Sequence, residues 1–121
     1  MKYMMMLRTD ENFTEAGPPP KELFERMDKF IAESTKAGSL VWAGGLMHTS
    51  KGAKVSLSKN GKISVVDGPF TEAKEVIGGF FVLEVKDKPA VVAMTRRFLE
   101  LHQKILGKDF LLECEVRQLD G

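Results

Sequence analysis

Two stretches of this chain are apolar on both sides when drawn as extended strands. In Lys2-Tyr3-Met4-Met5-Met6-Leu7-Arg8, Tyr3, Met5 and Leu7 fall on one face and Met4 and Met6 on the other. In residues 78–85, Phe81, Leu83 and Val85 are opposed by Phe80 and Val82. Strands of this kind need cover on both faces. The rest of the chain supplies only two helices, enough for one face.

The first helix follows a polar loop over residues 10–20, which ends in Pro18, Pro19 and Pro20 and so pre-sets an opening turn. Over residues 21–37 the apolar side chains recur at Leu23, Phe24, Met27, Phe30, Ile31 and Ala37, and Gly38 ends the helix. Asp87 and Pro89 open the second, which runs to Leu106 and stops at Gly107. Its stripe is Val91, Met94, Phe98, Leu101 and Ile105, with Val92, Leu99 and Leu106 on a second shoulder. Thr95 and His102 lie between them, so His102 points inward.

Residues 39–47 read as a strand interrupted at Gly44 and Gly45, where a bulge or a close backbone approach is expected. A hairpin follows. A three-residue loop of Lys59, Asn60 and Gly61 pairs Leu57 with Ile63, Ser56 with Ser64 and Val55 with Val65, and gives Gly61 the left-handed position; a two-residue loop would mix polar with apolar on each face. Asp67-Gly68-Pro69-Phe70 is a turn leading into about one helical turn capped by Thr71. The last strand, residues 110–119, sets Phe110, Leu112, Cys114 and Val116 against Glu113, Glu115 and Arg117. The order is strand, helix, strand, hairpin, strand, helix, strand, which predicts an α+β, ferredoxin-like βαββαβ fold with an extra central β-hairpin. The simplest cover for the second sheet face is another copy, so a homodimer is expected.

At 121 residues, with 43% apolar and 29% charged, the chain is sized for a single domain over residues 1–121. Net charge is +1 and neither sign forms a long block, which argues against direct nucleic-acid binding or a membrane surface. The apolar runs are too short to span a bilayer and the N-terminus lacks a signal-peptide layout, so a cytoplasmic protein is expected. Cys114 is the single cysteine, and no Asp, Glu or His set has a metal-ligand spacing; neither a metal nor a cofactor is expected.

The segment Asp67-Gly68-Pro69-Phe70-Thr71-Glu72-Ala73-Lys74-Glu75, followed by Gly78-Gly79-Phe80, resembles the signature of the DGPF proteins, a branch of the YCII-related family. The opening Lys2-Tyr3-Met4-Met5, the Phe98-Leu99-Glu100-Leu101-His102 segment and the closing Glu115-Val116-Arg117-Gln118 extend the resemblance over most of the chain. It implies a dimeric α+β barrel, two ferredoxin-like sheets stacked face to face with a cleft between sheet and loops. It also implies either cofactor-free acid/base chemistry, isomerase- or lyase-like, or a non-catalytic regulatory role beside a sigma factor or the transcription machinery. The first helix carries no histidine where the simpler relatives have one, so an intact His–Asp pair does not carry over.

Within that frame Asp67 and His102 are the candidate acid/base residues, and Arg117 or Lys74 would hold an anionic group on a small organic ligand. Glu115, Trp42 and Phe70 complete the candidate binding set, with Trp42 in the core or walling a pocket and Phe70 anchoring the signature loop. Each has a structural reading. Asp67 could hold its turn by accepting backbone N–H bonds, His102 could be a packed histidine, and Glu113, Glu115 and Arg117 could form an ion-pair network. Gly68 and Pro69 are expected to act through backbone conformation. His48 reads as a loop histidine.

Overall fold

The computed structural model describes residues 1–9, 20–70 and 76–121. Most of the expected polar loop, the Thr71-capped turn and Lys74 lie outside the described residues. The elements are β1 (Lys2–Thr9), α1 (Lys21–Lys36), β2 (Leu40–Gly45), β3 (Ala53–Leu57), β4 (Ile63–Asp67), β5 (Val76–Glu84), α2 (Lys88–Leu106) and β6 (Glu113–Gln118). Four strands form one sheet in the order β2-β5-β1-β6, with every neighbour antiparallel. This is the ferredoxin-like α+β arrangement, and β3-β4 form a separate two-stranded sheet between β2 and β5 in the chain.

Local chemistry sets the helix ends. Asp87 caps α2 by accepting the Ala90 N–H at 3.0 Å, Pro89 sits in the opening turn, and Gly107 closes the helix at φ +90°. Gly38 leaves α1 at φ +79°. Both helices cover the sheet face that carries Tyr3, Met5, Phe81 and Leu83, and Val91, Met94 and Phe98 of α2 complete the core. Phe98 meets Phe81 at 5.2 Å and Phe30 at 5.6 Å, both edge to face. Burial of one such ring stabilises the fold by about 1.5–3 kcal/mol. Phe24 of α1, next to the packing stripe, is exposed, because a step of about 100° per residue from Leu23 carries it off the core side.

The hairpin register is the expected one: Val55 pairs with Val65, Ser56 with Ser64 and Leu57 with Ile63. Gly61 takes φ +74° and donates its N–H to the Ser58 carbonyl at 3.0 Å. In β2 the register slips between Leu40 and Trp42, before the glycine pair, while Gly44 serves the close approach: a Cβ there would stand 2.9 Å from the Phe80 ring. The slip turns Trp42 onto the face away from the helices, opposite Val82. Trp42 is therefore not a core residue. It is 64% exposed, edge-on to Phe80 at 4.9 Å.

That second face carries Met4, Met6, Phe80, Val82 and Trp42 in paired register, with the β6 charges along one edge. Cys114 and Val116 pack toward the helices, as the alternation of β6 requires. No described helix is long and apolar enough to cross a membrane.

Candidate functional site

A cleft forms where the end of β1 and the start of β5 meet the connection between β2 and β3. The connection is built on His48, which caps the short helical turn Thr49–Lys51 by accepting the Ser50 N–H on Nδ1 at 3.1 Å. The Ser50 hydroxyl lies 3.0 Å from the same nitrogen. Because Nδ1 accepts, the neutral imidazole carries its proton on Nε2. Leu46 N–H donates to the Gly78 carbonyl at 2.9 Å and pins the connection to β5.

The signature turn closes the cleft from the other side. Gly68 donates its N–H to the Gly52 carbonyl at 3.0 Å, and Phe70 donates its own to Thr49 Oγ1 at 3.1 Å. Thr49 is buried, and a Cβ on Gly68 would overlap its carbonyl. Gly68 is not at positive φ; what it supplies is space for the two turns to touch. The Phe70 ring then lines the cleft with Lys54 Nζ over its face, 4.5 Å from the centroid.

The resulting cavity is about 590 Å³, the size class of small-ligand sites. Its apolar wall includes Leu46, Met47, Phe70, Val76 and Ile77, and Arg8, His48, Lys51 and Lys54 supply the polar groups. None of its described lining residues is acidic. Arg8 is held from outside, its Nη2 3.0 Å from Glu115 Oε1, and Arg117 Nε stands 3.7 Å from the other oxygen of the same carboxylate. Glu115 and Arg117 thus form an ion-pair chain with the neighbouring strand, one of the arrangements expected for the polar face of β6. The chain orients Arg8 toward the cleft, while Arg117 itself is largely exposed and lines no part of it.

Of the other candidates, Asp67 ends β4 opposite Ala53, exposed, with no side-chain hydrogen bond to a described residue; Ala53 lines the cleft and Asp67 does not. The turn is held by Gly68 and Phe70, not by the Asp67 carboxylate. His102 is buried as expected and donates Nδ1–H to the Phe98 carbonyl at 2.8 Å. Burial holds its pKa below the usual 6.5 against the opposing pull of that carbonyl. It lines a different cavity, which shares no lining residue with the cleft, so Asp67 and His102 do not converge on one site. Trp42 lines neither cavity. Of the described members of the proposed binding set, only Phe70 lies in the cleft wall.

The sequence reading missed Arg8, Thr49, Lys51 and Lys54. Arg8 had a usable signal, since alternation along β1 puts it on the face of Met4 and Met6, beside the β6 charges. The two lysines had none, because nothing local announces that the turn holding Lys51 and the start of β3 holding Lys54 meet the signature. No group of three His, Cys, Asp or Glu side chains gathers as a metal site among the described residues.

Comparison with curated proteins returns no match. The model of the YCII-related domain matches residues 1–98, a span that includes β1, both turns of the cleft, the hairpin and the first half of α2. On that match the chain belongs to the YCII-related family.

Proposed function

We propose that the cleft binds a small organic molecule with an anionic head and an apolar body. The observation that carries this reading is the lining itself: Lys51, Lys54, Arg8 and the Nε2–H of His48 stand beside an apolar wall, with no acidic side chain among the described lining residues. Such donors in a half-enclosed site favour a carboxylate over a neutral group. Acid/base chemistry on the bound molecule, of the isomerase or lyase type that the family resemblance implies, would fall to His48. Asp67 stands one pairing position away, opposite Ala53.

Calorimetric titration with 3-phenylpropionate and with its neutral amide tests this. The acid should bind about tenfold more tightly or better, and the gap should close in the Lys51→Ala/Lys54→Ala double variant and narrow with added salt. Equal affinity for acid and amide in the unaltered protein would refute the reading.

The same proposal includes a homodimer. Met4, Met6, Phe80, Val82 and Trp42 make an apolar layer with no described helix over it, and the face of a second copy is its simplest cover.

The hairpin favours a second reading. Val55, Leu57, Ile63 and Val65 share one of its faces and are all exposed, Leu57 at 74%, and an isolated two-stranded hairpin is marginally stable in water. A regulatory module that lays this face on a partner protein, of the transcription machinery the resemblance suggests, would use such a patch. The Leu57→Ser/Ile63→Ser variant separates the readings: loss of partner capture with carboxylate binding intact supports the module, and loss of neither removes it.

A further inference from the structure

The cavity around His102 is independent of the cleft. It measures about 360 Å³ and is lined by Arg96, Leu99, Glu100 and Gln103 of α2 and by Phe110 and Leu112 before β6, with His102 at its inner wall. Six of these seven residues lie beyond residue 98, where the family match ends.

The imidazole is fixed on three sides. Its ring lies 4.6 Å from that of Phe98 and 6.1 Å from that of Phe110, the latter nearly parallel at 11°. Nδ1 is committed to the Phe98 carbonyl, so in the neutral ring Nδ1 carries the proton and Nε2 presents a lone pair. His102 is only 6% exposed, yet no buried side-chain nitrogen or oxygen among the described residues lacks a partner. The Phe98 bond is the one hydrogen bond of this ring, so Nε2 is not sealed in the core, and His102 lines the cavity. A hydrogen-bond acceptor beside the apolar Leu99, Phe110 and Leu112 is a specific recognition element, because a ligand lacking the matching donor displaces water from it without replacing the bond.

The surrounding charge selects the ligand class. Arg96 and Glu100 stand one turn apart on α2 and offset each other, and the buried ring favours its neutral form. Nothing here matches the cationic lining of the cleft. We propose that this cavity is a second binding site, for a neutral, flat molecule with one O–H or ring N–H donor, of the phenol or indole class. Its donor meets His102 Nε2 and its ring lies along Phe110 and Leu112.

Phenol and toluene, equal in shape and different in that one donor, test the proposal on the full chain labelled with nitrogen-15. Phenol should move the His102 Nε2 resonance and bind about tenfold more tightly than toluene. In His102→Phe the preference for phenol should vanish while toluene still binds. If toluene binds the unaltered protein as well as phenol does, or if phenol leaves the Nε2 resonance in place, the proposal is wrong. Both readouts come from the unaltered chain, so they stand even if the variant fails to fold, and neither depends on what the cleft binds.

Discussion

Gly68 shows how a single atom decides the site. Its missing Cβ lets the signature turn lie against the Thr49 carbonyl, and that approach brings Phe70 and Lys54 to the cleft. Gly68→Ala should therefore cost about 1–3 kcal/mol of stability through overpacking, and carboxylate binding should fall with it. Thermal denaturation and titration of the same variant read the two effects. At two other residues burial shapes the response to pH. The folded state resists protonating His102, so stability is fully present above its ordinary 6.5 and is lost as pH falls from there through the lowered native value. Burial, helped by Glu113, pushes the Cys114 thiol from 9.0 up to about 11. The folded protein keeps that proton while the unfolded chain gives it up, so stability is present below pH 9.0 and is lost as pH rises toward about 11. Urea melts across pH should show both shoulders, the acid one absent in His102→Phe and the alkaline one absent in Cys114→Ala. An alkaline shoulder unchanged in Cys114→Ala would place its origin elsewhere.

At the scale of elements, legibility follows how local the signal is. The hairpin register can be read from sequence because a slip of one residue would set Leu57 against Ser64, and Gly61 marks the loop. The ends of α2 are legible for the same reason, as Asp87, Pro89 and Gly107 each act within one turn. Trp42 is not, because the slip after Leu40 that turns it outward depends on pairing with β5, far along the chain. The cleft is the extreme case: its lining comes from β1, the β2–β3 connection, the start of β3, the signature turn and β5, which meet only on folding. Sequence reasoning therefore reaches Phe70, inside the signature, and misses Lys51 and Lys54. The local devices carry local costs. Asp87→Ala should lower stability by about 1 kcal/mol through loss of the Ala90 bond, seen as a fall in Tm. Gly61→Ala should speed hydrogen exchange at the Ser58 and Gly61 amides and leave exchange in β1 and β5 unchanged, since the hairpin is a separate sheet.

Across the whole molecule, the open sheet face and the cleft are the two apolar surfaces to which the proposed function assigns a partner. In the proposed dimer the open sheet face is covered by a second copy. Trp42, the only tryptophan, reports on it: dilution below the dissociation constant should shift its emission to the red, and light scattering should give the mass of two chains above it. A stable monomer at micromolar concentration would remove the dimer. In the proposed function an anion with an apolar tail sits in the cleft between the His48 turn and Phe70. Mapping amide and methyl shifts of the labelled protein as 3-phenylpropionate is added tests this most directly. Leu46, Met47, Lys54, Phe70 and Ile77 should move together and saturate. Shifts gathered instead on Met4, Phe80 and Trp42, or around His102, with the cleft unmoved, would contradict it.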